Sequence, residues 1–151
     1  MKPFSELKIA LASDHAGFAL KNQVRLFLED NGAQVYDFGC YSADSCDYPD
    51  YAHPLAEAVS TGEYEYGIAI CSTGNGICMT ANKHQGIRAA LCSDVYSAKM
   101  TKQHNNANII CMGGRVIGRE LAFMIVDVWL ETEFEGGRHA NRIAKIHEIE
   151  K

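Results

Sequence analysis

Short apolar runs recur along this chain, separated by segments in which apolar residues follow a helical period. The runs occupy residues 7–13, 34–38, 66–71, 87–92 and 108–112. Because apolar residues dominate these runs without clean alternation, they are typical of strands buried on both faces of a parallel sheet. We predict a strand at each of them.

Apolar residues at three- and four-residue spacing predict helices between the strands. These helices cover residues 18–30, 51–61, 76–83, 94–104 and a long stretch through 121–130. The alternation predicts one α/β domain over residues 1–151, a doubly wound, Rossmann-like, five-stranded parallel sheet with helices on both faces. The usual strand order of such a sheet is 2-1-3-4-5, which puts the first and third strands side by side.

The C-terminal segment, residues 136–151, falls outside this alternation. Its polar sequence carries an isoleucine stripe at Ile143, Ile146 and Ile149. Because no sheet face remains for the stripe to cover, we expect a final helix that packs on a partner subunit.

Composition and charge narrow the functional classes. A net charge of −5 disfavours nucleic acid or an anionic membrane as the main partner. No apolar run approaches the roughly 18 residues of a membrane-spanning helix, and the N-terminal residues lack a signal-peptide core. We therefore expect a cytoplasmic protein whose six cysteines are reduced thiols and form neither disulfides nor a structural zinc site.

The strongest candidate for chemistry follows the third predicted strand. This strand ends in Cys71, and residues 72–76 read Ser-Thr-Gly-Asn-Gly. Strand ends and helix N-termini of a parallel sheet face one crevice, so the free amides of residues 72–76 could bind a phosphate or a developing oxyanion. The same field would stabilise a thiolate, which favours Cys71 as a base or nucleophile over a buried structural thiol.

Asp14 and His15 follow the first strand, which the predicted strand order places beside Cys71. A helix cap followed by a surface histidine is the alternative interpretation. His104 and Asn105 end a predicted helix, where a histidine often serves only as a partner of the helix dipole. A role as donor and acceptor groups in a site is equally compatible with the sequence.

A cationic group opens the last helix. Arg138 and Arg142 are four residues apart on one helical face, with His139 beside them. A solvated charged face is the usual explanation, and a phosphate clamp that Arg115 could join is the alternative. We expect the thiol, the Asp14–His15 pair and these guanidinium groups to share one cavity.

Three functional classes fit such a set of residues unequally. A cysteine-dependent phosphatase needs an arginine where this chain has Ile77, so that class is nearly excluded. A nucleotide-binding module is disfavoured because the Gly-x-Gly is truncated and no Gly-x-x-x-x-Gly-Lys-Ser/Thr loop is present. The third class, a proton-transfer enzyme acting on a small phosphorylated metabolite, uses every candidate group.

Six segments together also resemble a known family. They are residues 13–17 (Ser-Asp-His-Ala-Gly), 47–49 (Asp-Tyr-Pro), 71–83 (Cys-Ser-Thr-Gly-Asn-Gly to Ala-Asn-Lys), 86–89 (Gly-Ile-Arg-Ala), 104–108 (His-Asn-Asn-Ala-Asn) and 135–139 (Glu-Gly-Gly-Arg-His). In this order they resemble the ribose-5-phosphate isomerase B family, which is related to the galactose-6-phosphate isomerase subunits. The resemblance implies interconversion of D-ribose 5-phosphate and D-ribulose 5-phosphate in the pentose phosphate pathway, without a metal or organic cofactor.

The resemblance also implies roles for individual residues. Cys71 matches the base that moves a proton between C1 and C2 through a cis-enediolate, and His104 matches the residue that opens the furanose ring, with Asp14 assisting. The absence of an acid in residues 72–76 matches the branch that uses cysteine and not glutamate. The family's loop that stabilises the enediolate corresponds to Ser72, Thr73, Gly74 and Gly76. Its sugar-binding residue corresponds to Asn105. Its phosphate pocket corresponds to His15, Arg115, Arg138, His139 and Arg142.

Assembly and substrate length remain open in the sequence. The resemblance implies a homodimer or homotetramer whose sites are shared between subunits. A six-carbon sugar phosphate, of allose or galactose, is an alternative substrate. A non-catalytic module that binds a phosphometabolite or nucleotide is a weaker alternative.

Overall fold

The protein was examined as a computed structural model, which describes residues 3–151. Its centre is a sheet of five parallel strands in the order β2-β1-β3-β5-β4. In chain order the strands are β1 (Lys8–Ser13), β2 (Gln34–Asp37), β3 (Tyr66–Cys71), β4 (Ala89–Leu91) and β5 (Ile109–Gly113).

Helices cover both faces of the sheet, as the alternating pattern predicts. They are α1 (Phe18–Asp30), α2 (Pro49–Ser60), α3 (Asn75–Ala81), α4 (Val95–Asn105), α5 (Arg119–Glu131) and α6 (Arg138–Glu148). One core cluster includes Leu20, Val24 and Trp129 from α1 and α5. The other includes Leu55 and Ile77 from α2 and α3. The predicted fold class is therefore confirmed.

The predicted strand order is wrong at one edge, because β5 and not β4 lies next to β3. All five residues of β5 are buried. The three residues of β4 are half-buried or exposed, and Arg88 precedes them. A fully apolar strand gains more from the centre of a sheet than a short, partly exposed one, which explains the exchange.

The final helix lies outside the sheet, as expected. Its residues bind the loop before β4, where the Arg88 guanidinium lies 2.8 Å from Nε2 of His147. In addition, the Gly86 amide donates to a carboxylate oxygen of Glu150 at 3.0 Å. Ile146 and Ile149 remain 48% and 83% exposed in one copy of the chain. Packing of this stripe on a partner subunit therefore stays a prediction.

Within residues 3–151, the helices are all too short or too polar to cross a lipid bilayer.

A lysine is buried where α4 packs on α5. Lys102 is 4% exposed. Its Nζ donates to the Trp129 carbonyl at 3.2 Å and lies 4.4 Å from the ring centroid of Tyr66. Burial lowers the pKa of Lys102 to about 8, against an opposing effect of Glu65. The folded protein thus releases this proton near pH 8, whereas the unfolded chain holds it to about 10.5.

Replacement of this amine should therefore change how stability depends on pH. The unfolded chain binds more protons at Lys102 between these two pKa values, so its contribution to the free energy of unfolding rises with pH there. We expect wild type to gain about 2 kcal/mol relative to Lys102→Met from about pH 7.5 to about pH 10. Urea unfolding at several pH values measures the difference.

The matched control is Lys99→Met, which removes an exposed lysine from the same helix. Burial raises the pKa of Cys92 to about 12, an opposing effect that is common to all three proteins and cancels in the comparison. A difference between wild type and Lys102→Met that does not vary with pH would contradict the buried-amine interpretation.

Candidate active site

Three loops meet at the carboxyl edge of the sheet, after β1, β3 and β5. The Asp14 amide donates to the Ile70 carbonyl at 3.2 Å, and the Gly114 amide donates to the Cys71 carbonyl at 2.8 Å. The Arg115 amide donates to the Ser72 carbonyl at 3.1 Å. Main-chain hydrogen bonds thus hold the segment containing Cys71 between the other two loops.

Glycine is required where the loops cross. A Cβ atom on Gly17 would lie 2.3 Å from the Ile70 carbonyl oxygen. One on Gly114 would lie 2.7 Å from the Ala16 carbonyl oxygen. Neither backbone oxygen can move away without breaking the turn to which it belongs. The close approach of these loops therefore requires residues without a Cβ atom at positions 17 and 114.

The Cys71 thiol ends β3 and is 4% exposed. The Gly74 amide donates to its Sγ atom at 3.1 Å. Gly74 has a φ of 87°, in the left-handed region that glycine adopts most readily, and this turn directs its N–H back at the sulfur. This main-chain hydrogen bond fixes the sulfur in place at the end of β3.

Two amides of the loop are therefore not free, contrary to the prediction for residues 72–76. The Gly74 amide binds sulfur. The Asn75 amide donates to Oγ1 of Thr73 at 3.3 Å, as in a helix cap. Sequence gives the number of amides in a loop but not their directions, which explains the error. Ser72, Thr73 and Gly76 remain candidates for contacts with a substrate.

Asp14 and His15 lie beside this loop, as predicted. Asp14 is 5% exposed, and its Oδ1 accepts hydrogen bonds from the amides of Ala16 and Gly17 at 3.0 and 3.1 Å. Nδ1 of His15 accepts a hydrogen bond from the Cys46 amide at 3.2 Å. That bond orients the ring and leaves Nε2 as the nitrogen that carries hydrogen toward a ligand.

A tyrosine missing from the sequence-based candidates lies at the same edge. A Cβ on Gly76 would be 2.4 Å from Cζ of Tyr48 and 2.8 Å from its hydroxyl oxygen, so the phenol packs directly on the first turn of α3. The Asp47-Tyr48-Pro49 motif was a signal for this position. The sequence did not predict the contact because Tyr48 and Gly76 are far apart along the chain.

A second group of candidates lies where α4 ends and α6 begins. The imidazole rings of His104 and His139 stack with centroids 4.3 Å apart. A carboxylate oxygen of Glu135 lies 3.9 Å from Nε2 of each ring. The Glu135 amide donates to the Gln103 carbonyl at 3.0 Å, which fixes the connection between the two helices.

His139 has an unusual environment in this group. The residue is 6% exposed, yet its buried Nε2 has no hydrogen-bond partner among the described residues. Burial lowers the pKa of His139, as do electrostatic interactions with His104, Arg138 and Arg142, while Glu135 opposes them. Both arginines and Asn105 are exposed. This group therefore combines donor groups with positive charge, which suits an anion.

The two groups lie at opposite edges of the sheet. Cys71 pairs with Gly113 at the end of β5, whereas His104 precedes Ile109 at its beginning. The intervening strand alone separates the edges by about 13 Å. One chain therefore does not bring Cys71, Asp14 and His15 into a cavity with His104, Asn105, Arg138, His139 and Arg142. The two groups are separated within one copy because helices of such a sheet return antiparallel to its strands, so a cavity shared between subunits stays a prediction.

Comparison with known proteins identifies the family. The model of the ribose/galactose isomerase family matches residues 9–146. This chain belongs to the ribose/galactose isomerase family. Ribose-5-phosphate isomerase B of Escherichia coli is 49% identical over 144 residues, covering 95% of this chain and 97% of that protein. A D-erythrulose-4-phosphate isomerase of Pectobacterium atrosepticum is 45% identical, covering 93% of each chain.

Solved structures of this isomerase family agree over nearly the whole chain. Ribose-5-phosphate isomerase B of Clostridium thermocellum has a TM-score of 0.94 and 52% identity, covering 95% of this chain and 97% of that one. The enzyme of Mycoplasma genitalium with bound ribulose 5-phosphate has a TM-score of 0.93 and 40% identity, covering 96% and 97%.

The crossing of the loops gives a testable prediction. Gly17→Ala puts a methyl group on the Ile70 carbonyl. We expect it to lower the free energy of unfolding by about 1–3 kcal/mol and to displace the Asp14 turn from Cys71. Gly118→Ala is the control, since a Cβ there meets nothing within 4 Å. Urea unfolding compares the variants, and equal losses would show that the loops do not depend on this approach.

Proposed function

We propose that the protein is an aldose–ketose isomerase that interconverts D-ribose 5-phosphate and D-ribulose 5-phosphate. The observation that carries the proposal is the Cys71 sulfur, which accepts the Gly74 amide at 3.1 Å at the end of a central strand. The buried Asp14 turn is bonded to the same strand end. This pairing of a sulfur held by a main-chain hydrogen bond with a carboxylate and loop amides suits proton transfer next to a carbonyl. The names of the relatives support the same reaction.

The proton transfer follows from these groups. The thiolate of Cys71 removes the proton from C2 of the open-chain aldose, which forms a cis-enediolate, and the resulting thiol returns the proton to C1. The proton of the O2 hydroxyl passes to O1, so that C2 becomes the carbonyl of the ketose. Negative charge then develops on the O1 and O2 oxygens. The loop groups of Ser72, Thr73 and Gly76, held in place by the bond from the Gly74 amide to the sulfur, stabilise this charge in the transition state more than in the bound sugar.

The remaining candidates take supporting roles in the same proposal. His104 exchanges protons with the ring oxygen to open the furanose, Asp14 assists at the sugar oxygens, and Asn105 binds the hydroxyl groups. Cationic side chains hold the phosphate group through charge-assisted hydrogen bonds. These are His15, Arg115, Arg138, His139 and Arg142.

These roles require two copies of the chain. The first group lies at the carboxyl edge and the second at the amino edge, so a complete site combines the edges of neighbouring subunits. We propose a homodimer, or a homotetramer built from such dimers, with the exposed Ile146 and Ile149 of α6 near a subunit contact. Residues of the chain supply the base, the acid and the phosphate contacts, so the proposal includes no metal or organic cofactor. The cytoplasm remains the proposed location, since charged sugar phosphates are retained there.

The length of the sugar is the point on which alternatives differ. One relative is named D-erythrulose-4-phosphate isomerase, which makes a four-carbon substrate one alternative. The family description includes galactose, which makes a six-carbon substrate the other. We prefer the five-carbon substrate because of the names of two relatives. In the sequence comparison and in the structural comparison, the most identical of the relatives described above is named ribose-5-phosphate isomerase B. Rates with four-, five- and six-carbon aldose phosphates at equal concentration decide between them, and a faster rate with either alternative would overturn the preference.

The role of Cys71 is testable by a conservative substitution. We expect Cys71→Ser to lower kcat for ribose 5-phosphate by about 10³-fold or more, since a hydroxyl is a far weaker base than a thiolate. In deuterated water, wild type should place deuterium on C1 of the ketose and the variant should not. Cys78→Ser is the control, because that thiol lies on α3 and contacts the Ala89 carbonyl of the neighbouring strand β4. Turnover by Cys71→Ser near the wild-type rate would refute the assignment.

The shared site predicts complementation between inactive chains. A first variant, Cys71→Ser, damages one edge, and a second, His104→Gln with Arg142→Gln, damages the other. If each site uses both edges of different subunits, every mixed dimer has one intact site. Random pairing after co-expression should restore about a quarter of wild-type activity. Sites contained within one chain would restore no activity. The control is co-expression of Cys71→Ser with a variant that carries Cys71→Ser, His104→Gln and Arg142→Gln together, which should also restore none.

A further inference from the structure

His104, Glu135 and His139 form a cluster whose geometry points beyond binding of a sugar phosphate. One ligand atom from each residue, an imidazole nitrogen or a carboxylate oxygen, lies within 4.8 Å of the other two. The buried Nε2 of His139 faces this cluster without a hydrogen-bond partner. A buried nitrogen left in this state loses the free energy of its contact with water, so a ligand that coordinates it is favoured.

We propose that this cluster is a site for Zn²⁺ or a similar transition-metal ion, and that the ion inhibits the enzyme. Two imidazoles and one carboxylate are a ligand set that zinc prefers, with the fourth position open to water or an anion. Mg²⁺ is a poor alternative because it takes oxygen ligands almost exclusively. The inhibitory consequence depends on the proposed role of His104 in opening the sugar ring, whereas the binding of the ion does not.

Binding requires a limited movement of two side chains. Zinc bonds of about 2.1 Å in a tetrahedron place ligand atoms about 3.4 Å apart, whereas Oε2 of Glu135 lies 3.9 Å from Nε2 of His104 and Oε1 lies 3.9 Å from Nε2 of His139. The rings are inclined by only 11°. One ring must therefore tilt to aim its lone pair at a shared ion. The His104 side chain is 39% exposed and Glu135 is 47% exposed, so these two can move toward the buried His139.

The neighbouring charges limit the affinity. Arg138 and Arg142 add positive charge near His139, which disfavours a bare dication. The carboxylate of Glu135 offsets part of this charge, and an anion in the fourth position offsets more. We therefore expect dissociation constants of about 1–100 μM, weaker than those of dedicated zinc sites.

A metal ion bound to this cluster would inhibit the isomerase, although the reaction itself does not use the ion. An ion on Nε2 of His104 prevents that nitrogen from exchanging a proton with the sugar, and it occupies the pocket that Arg138 and Arg142 offer to phosphate. Zinc should therefore raise the apparent KM for the sugar phosphate. A chelator should restore the activity lost to zinc and leave metal-free enzyme unchanged.

Another histidine pair serves as the comparison. Nδ1 of His53 lies 2.6 Å from Nε2 of His84, so these nitrogens already share a hydrogen bond. Nδ1 of His84 also faces the carbonyls of Thr80 and Ala81 at 3.2 and 3.1 Å. Both nitrogens of His84 thus have partners, which makes this pair a weaker metal site and a suitable control.

Titration of the protein with Co²⁺ in the absence of sugar phosphate tests the site. Co²⁺ reports its ligands through visible absorption, and coordination by a thiolate adds a charge-transfer band in the near ultraviolet. We expect binding of about one ion per chain without that band, with an affinity at least about tenfold lower in Glu135→Gln and His139→Gln and unchanged in His53→Gln. Glu135 is half exposed, so its variant should fold even if replacement of the buried His139 prevents folding. Circular dichroism checks both variants.

Several outcomes would overturn the proposal. They are no binding up to about 1 mM Co²⁺, loss of binding only in His53→Gln, or a thiolate band that disappears in Cys71→Ser. The isomerase assay separates this proposal from the proposed function. An active isomerase without the metal site refutes the site alone, and metal binding by a protein without isomerase activity refutes the function alone. Zinc inhibition that persists equally in Glu135→Gln would place the inhibitory ion elsewhere.

Discussion

In a parallel sheet, residues that come just after a strand lie at the carboxyl edge, and residues that come just before a strand lie at the amino edge. This constraint separates the candidate site residues of this protein into two groups. Cys71 and Asp14 follow strands, while His104 precedes one and α6 lies beside it. Neither edge has all the groups that isomerisation of a sugar phosphate needs. The carboxyl edge has the proposed base and the proposed oxyanion loop, and the amino edge has the imidazoles of His104 and His139 and two guanidinium groups. Association of two copies is therefore a requirement of the proposed reaction.

Hydrophobic pattern was sufficient to predict most of the fold. The bounds of α1 and β3 agree with prediction, because in both segments the apolar period is strong and glycines or turn residues mark the ends. The order of β4 and β5 could not be predicted, because it depends on a comparison of burial between two apolar runs. Arg88 beside the fourth run and the uninterrupted apolar fifth run were the available signals. The default strand order outweighed them.

The candidate site was predictable in residue identity but not in direction. Position after a strand was enough to place Asp14 beside Cys71, since the strands themselves are neighbours. The return of the Gly74 amide to sulfur depends on a single positive φ, and the packing of Tyr48 on Gly76 depends on a loop crossing. Neither follows from period or composition. Glu135 was visible only as part of a motif, and its position between two imidazoles required the path of the chain after α5.

The proposed phosphate contact and the proposed metal site have one atom in common, which is the buried Nε2 of His139. In a single copy this nitrogen has no hydrogen-bond partner within residues 3–151, so folding leaves a polar atom unsatisfied. A phosphate oxygen would accept from it in protonated form, and a metal ion would take its lone pair in neutral form. The lowered pKa of His139 favours the neutral ring. A neutral ring can still donate to a phosphate oxygen when Nε2 carries its one hydrogen, and the nearby Arg138 and Arg142 carry the charge that the imidazole lacks. A neutral ring among guanidinium groups thus serves the anion as a positioned neighbour, while remaining the free ligand that a transition metal requires.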